Sequence, residues 1–133
     1  MRLHHVGIVV RDIAASVAWY REHFGFEHQY DFSFAGAQAT MIVRGDARLE
    51  FFQVDGAVPM TSERQEFETN IRIGGINHLA LAVKDLDKAV AALEANGVEI
   101  AIPPSNVPNE SGDRFAFIRD NERMLVELFQ PAT

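Results

Sequence analysis

The chain repeats itself. The segment HVGIVVRDIAASV, starting at His5, returns as HLALAVKDLDKAV, starting at His78. Each copy gives a histidine, alternating aliphatics, a basic residue, an aspartate and then a helical pattern. The far ends correspond as well: RLEFFQ around Glu50 answers LVELFQ around Glu127. Two matches in the same order, one at each end of a stretch, mark an internal duplication. Duplication restricts the fold to two similar units, each of which must cover the apolar face of its own elements.

Within each copy the order of elements reads βαβββ. Leu3–Val10 alternates like a strand, and Asp12 caps a helix carrying Ile13, Val17, Trp19, Tyr20 and Phe24, with Gly25 as its stop. Three strands follow, over Phe26–Phe32, Ala37–Val43 and Arg48–Val54. The second copy gives a strand over Ile76–Val83, a helix over Asp85–Asn96 ended by Gly97, and strands over Val98–Ile102, Arg114–Ile118 and Met124–Phe129, the last two joined by the turn Asp120–Arg123. The expected fold class is α+β: two βαβββ modules, residues 1–54 and 74–133, joined by a polar linker over 55–73 with one short helix. Their curved mixed sheets are expected to form a cup-shaped half-barrel. The Pro-, Asn- and Ser-rich stretch Pro103–Gly112 reads as a long loop, a place where lids occur.

Composition excludes several functions. A net charge of −7 leaves no basic stripe for nucleic acid. The chain has no cysteine, so disulfides, thiolate metal sites and cysteine nucleophiles are absent, and any metal must be held by nitrogen and oxygen. No charged-then-apolar leader precedes Leu3 and no apolar run approaches the ~20 residues needed to span a bilayer. A cytoplasmic protein that does not engage membranes is expected.

Alternation along the strands singles out four side chains. Val6, Ile8 and Val10 share one face, and His5, Gly7 and Val9 the other; in the second copy Leu79, Leu81 and Val83 oppose His78, Ala80 and Ala82. Each histidine heads a face of small residues. Glu50 with Phe52, and Glu127 with Leu125 and Phe129, point away from the face of Leu49 and Phe51 or of Val126 and Leu128. An ionised carboxylate between apolar neighbours costs several kcal/mol unless it is paired or bound to a metal. Two imidazoles and two carboxylates at repeated positions suit one divalent ion, Zn, Ni, Co, Fe or Mn, with one or two positions left for substrate oxygens. The plainer alternative is a structural histidine in each strand and glutamates paired with Arg48, Arg114 or Arg123.

Other motifs have plainer readings. His4 is structural or at the surface, because Asn77 takes its place in the second copy. His23 and His28 lie near a helix end, Trp19 and Tyr20 belong to the core, and Asp85, Asp87 and Lys88 form a helix start. Gly74-Gly75 precedes a strand and so is no phosphate loop. Arg44, Arg72 and Arg114 are substrate-anchor candidates by charge alone.

His-x-Gly-Ile-x-Val-x-Asp, a Trp-Tyr helix, Phe-Gly-Phe, Leu-Glu-Phe-Phe, then Asn-His-Leu-Ala-Leu-Ala-Val and Leu-Val-Glu-Leu-Phe, together resemble the vicinal oxygen chelate superfamily over essentially the whole chain. That group includes glyoxalase I, methylmalonyl-CoA epimerase, extradiol dioxygenases, and fosfomycin- and bleomycin-resistance proteins. The resemblance to glyoxalase I implies metal ligands at His5, Glu50, His78 and Glu127, with Glu127, then Glu50, as the catalytic base. The wall of the site would be Phe52, Leu125 and Phe129. It implies a lyase, isomerase or epimerase acting on a small molecule by metal-stabilised enediolate chemistry, and a homodimer. A ring-cleaving dioxygenase and a non-catalytic, drug-resistance-type binding protein are the alternatives. Two departures stand out: Val54 occupies the place of the asparagine that helps bind glutathione, and Asn77-His78 replaces the His-His of the epimerase.

Overall fold

Asp12 and Asp85 do the same work at equivalent places. Each adopts an extended backbone and accepts a hydrogen bond from the amide three residues on, Ala15 N and Lys88 N, both at 3.0 Å. A cap of this kind contributes about 1 kcal/mol. The helices they start are α1 (Ile13–Phe24) and, in the second half, the helix Leu86–Ala95. Gly25 closes α1 in the left-handed region at φ 68°, and its amide returns to Arg21 O. The Arg44 guanidinium donates to Phe24 O at the same helix end.

The computed structural model covers residues 1–133 and divides into two compact units, 1–59 and 60–133. In the first, β1 (Val6–Val9) runs parallel to β4 (Ala47–Val54), which pairs antiparallel with β3 (Ala37–Arg44), and β3 with β2 (Glu27–Phe34). The open four-stranded order is β1-β4-β3-β2. In the second unit the strands are β5 (Leu79–Ala82), β6 (Ile100–Asn106), β7 (Arg114–Arg119) and β8 (Leu125–Gln130), in the matching order β5-β8-β7-β6. The α+β class and the βαβββ order are therefore as expected, with two open mixed sheets.

Each unit has its core between helix and sheet. On α1 the buried stripe is Ser16, Tyr20 and Phe24, at helical spacing, and Tyr20 packs its ring 5.4 Å from Phe51 and 5.9 Å from Phe26. On the second-unit helix, Leu86, Val90 and Leu93 are buried against Ile118, Val126 and Leu128, the inward residues of their strands. Full burial of one such side chain contributes about 2 kcal/mol. Trp19 is only half-buried and lies 4.8 Å from the His23 ring, so Tyr20 is the core member of that pair.

Three expectations change. The opening strands are shorter than Leu3–Val10 and Ile76–Val83, because parallel pairing begins only at Val6↔Leu49 and Leu79↔Val126; His5 and His78 each precede the first paired residue. Pro103–Gly112 is not one long loop. β6 continues to Asn106 through two register shifts, and as the sheet's edge strand it tolerates Pro103 and Pro104, which lack an amide donor. The remaining turn is closed by Val107 N→Asp113 O at 2.9 Å and braced by Asn109 and Ser111 side chains.

The polar stretch after Val54 also has structure. It contains a 3-10 turn (Ser62–Arg64) and the short helix α2 (Phe67–Asn70). Numbering in chain order makes Leu86–Ala95 helix α3. Residues 60–73 are fastened to the second unit by Arg119, which is 9% exposed and reaches Gln65 O, Glu66 and Glu99 at 2.7–3.0 Å. Buried Asn70 donates to Asn77 O at 2.8 Å and so braces the approach to His78.

Candidate metal centre

The register sets both carboxylates. Glu50 pairs across β1 with Gly7 and across β3 with Met41; Glu127 pairs with Ala80 and Phe117. A small residue beside each glutamate leaves space above it. A Cβ built on Gly7 would stand 3.2 Å from the Phe52 ring and 3.6 Å from Glu50 Oε2. Glu50 and Glu127 are only 13% and 15% exposed, so each needs compensation for its charge.

A histidine stands beside each carboxylate. His5 Nε2 lies 3.2 Å from Glu50 Oε2 within the first unit, and His78 Nε2 lies 2.9 Å from Glu127 Oε2 within the second. The arginines that would have made these carboxylates ordinary ion pairs are engaged elsewhere. Arg114 binds Asp87, Arg123 binds Glu99 and Gln65, and Arg48 reaches Asp46 O. Arg44 is used on Phe24 O, so of the three substrate-anchor candidates only Arg72 has no side-chain bond of this kind to another element.

The other nitrogen of each ring is also held. His78 Nδ1 is 2.7 Å from Asn77 Oδ1, and His5 Nδ1 is 2.9 Å from His4 Nδ1. An amide oxygen only accepts, so His78 must carry its proton on Nδ1. A neutral His78 then turns a lone pair toward Glu127. Two acceptors at 2.9 Å repel unless a proton or a cation lies between them. A separation of 2.9 Å is the ordinary length of an N–H···O hydrogen bond, and it also suits two ligands about 2.1 Å from one ion at right angles, as in an octahedral site. The Phe117 ring stands edge-on to His78 at 4.7 Å and fixes the ring plane. Each unit brings one histidine and one glutamate together, and no group of three or more His, Asp or Glu side chains placed to hold a metal ion is found.

Residues 2–128 match the family model described as the Glyoxalase/Bleomycin resistance protein/Dioxygenase superfamily. The chain belongs to this superfamily. The relatives it resembles include the uncharacterized protein YwkD of Bacillus subtilis (strain 168), 30% identical over 131 residues, covering 96% of this chain and 95% of that one. Among solved structures, a glyoxylase/bleomycin resistance protein/dioxygenase domain from Frankia sp. EAN1pec aligns with TM-score 0.79 at 20% identity, over 99% of this chain and 93% of that one. The trypanothione-dependent glyoxalase I of Leishmania major aligns with TM-score 0.72 at 21% identity, over 98% and 86%.

Sequence reasoning missed the supporting residues of this superfamily member. His4 and Asn77 differ in type but occupy the same place and do the same thing, holding Nδ1 of the following histidine. Treating their difference as a lost counterpart hid the shared role. Gln53 and Gln130 were visible as the last letters of the repeated EFFQ and ELFQ. Each accepts from the first helical amide of its unit, Ile13 N at 2.8 Å and Leu86 N at 2.7 Å, and so ties helix to sheet. Of the expected wall, Phe52 and Phe129 are half-buried, whereas Leu125 is 1% exposed and belongs to the core. No helix is long and apolar enough to cross a membrane.

Proposed function

We propose that the protein is a metal-dependent lyase, isomerase or epimerase of small molecules, with His5, Glu50, His78 and Glu127 as ligands of a divalent cation. The observation that carries this is the 2.9 Å approach of His78 Nε2 to Glu127 Oε2 while Nδ1 is tied to Asn77 Oδ1. Superfamily membership and the fold likeness to a glyoxalase I support it.

A divalent cation bound by these residues supplies Lewis-acid stabilisation of the charge that develops on substrate oxygens during enediolate chemistry. The chain's own residues do the rest. Glu127 takes the carbon-bound proton, with Glu50 as the second candidate, since a carboxylate within reach of the substrate carbon is the base this reaction needs. His78 stays oriented because Asn77 and Phe117 hold two sides of its ring. Phe52 and Phe129, on the same faces as the glutamates, exclude water from the substrate. Val54 offers no side-chain amide, so a substrate other than a glutathione adduct is favoured.

The test replaces Glu127 by Gln and follows solvent-deuterium exchange into α-hydroxy thioesters and hemithioacetals by NMR, with metal content measured on the same samples. Exchange lost by about 100-fold or more, with metal retained, supports Glu127 as base. Exchange at wild-type rate with metal bound removes it from that role. A wild-type protein that takes up no divalent ion sinks the whole reading.

A further inference from the structure

The first unit carries a cleft of about 1110 Å³ on the helix side of its sheet, between α1 and strands β2 and β3. It is on the opposite face from Glu50: the cleft residue Thr40 pairs with Phe51, whereas Glu50 pairs with Met41. The second unit shows what normally bridges this place. There Arg114, on β7, makes a two-pronged salt bridge to Asp87, on α3, at 2.6 and 2.9 Å, and joins strand to helix.

The duplication identifies the missing partners. Asp87 is two residues past the cap Asp85, and the residue two past Asp12 is Ala14. Arg114 pairs in register with Gln130, and Gln38 pairs with the equivalent Gln53. Ala14 and Gln38 both line the cleft, so the first unit has neither prong of the bridge.

The lining has one charge pattern and one built feature. Asp12, Glu22 and Asp31 face a single guanidinium, Arg21, and one imidazole, His28. Ile13, Ala14, Val17 and Ala18 give an apolar flank along α1. Asp31 is fixed in place by the buried Thr40 hydroxyl, which donates to Oδ1 at 2.7 Å, and by His28 Nε2 at 2.9 Å on the same oxygen. Oδ2 is left for a ligand. The two hydrogen bonds also hold this carboxyl below the usual carboxylate range, so it stays ionised.

We propose that the cleft between α1, β2 and β3 is a second binding site, distinct from the histidine–glutamate pairs. Its ligand class is a small organic cation with a short apolar frame, the charged end on Asp31 and Glu22 and the frame against Ala14, Val17 and Ala18. Acidic clefts concentrate cations, and a cavity this large accepts a molecule of that kind. The site stands independently of any metal.

The probe is n-butylguanidinium, titrated into ¹⁵N-labelled protein in the presence of EDTA, with n-butanol and butanoate as neutral and anionic matches. Binding is expected for the cation, with shifts mapping to residues 13–22 and 28–40 and weak or no response to the other two. Asp31→Asn should weaken binding by about tenfold or more. Ala14→Asp with Gln38→Arg, which installs the second unit's bridge, should abolish it; if that double variant fails to fold, Asp31→Asn carries the test. Equal response to all three probes, shifts elsewhere, or an Asp31→Asn protein that binds like wild type overturns the proposal.

Discussion

Asn77 Oδ1 sits 2.7 Å from His78 Nδ1, and this contact decides which ring nitrogen can face Glu127. Replacing Asn77 by Leu removes the acceptor and frees the ring to flip or to move its proton. Metal affinity is expected to fall by about 10- to 100-fold, the usual cost of losing a partner of a ligating histidine. Asn77→Asp should retain it. Competition titration against a chelator checks both variants; an Asn77→Leu protein with wild-type affinity would show that the contact is ornamental.

Gly7 is the small neighbour of Glu50. Gly7→Val places branched carbon where a Cβ alone is already 3.2 Å from the Phe52 ring. The change should reduce divalent-ion binding through the first unit while shifting the melting temperature little, since the strand backbone there needs no glycine conformation. Isothermal titration with Zn or Ni, beside a thermal melt, separates the two effects.

Arg119 is the nearly buried hub of the second unit, with Glu66 and Glu99 about half exposed around it. Arg119→Met keeps much of the volume and loses the hydrogen bonds. Solvent exposure of the partners limits the loss to about 2 kcal/mol. Urea unfolding should show that decrease. Hydrogen exchange should show residues 60–73 losing protection before the strands do.

Asp87 titrates below the ordinary carboxylate range because its hydrogen bonds to Arg114 favour the ionised form. A group whose folded value is depressed adds stability above its unfolded value and loses that stability as pH falls through the folded one. Acidification below about pH 4 should therefore weaken the α3–β7 bridge. Asp87→Asn should flatten that part of the stability–pH curve, in melts taken from about pH 2 to about pH 5. An unchanged curve would show that the exposed pair contributes nothing measurable.

Much of the fold could be read from residues. Asp12, Asp85, Gly25 and Gly97 punctuate the helices in plain view, and alternation assigned the faces of Glu50 and Glu127 as they are found, with His5 and His78 reaching them from just before the strands. Two things were not readable. Pro103 and Pro104 look like breakers, and only the sheet order, which puts β6 on an edge, makes them acceptable in a strand. The Arg119 hub depends on contacts between residues more than fifty positions apart, and no local pattern in the polar stretch 60–73 announces them.

That hub has a practical corollary for anyone cutting the polypeptide into halves. Residues 55–59 are all exposed, while Asn70 is clasped by Arg64 and by the backbone of Asn77. A protease or a split-protein design should use the seam before Met60. Cutting at Gly74-Gly75, where the sequence invites it, would strip the latter fragment of the strap that steadies its own histidine.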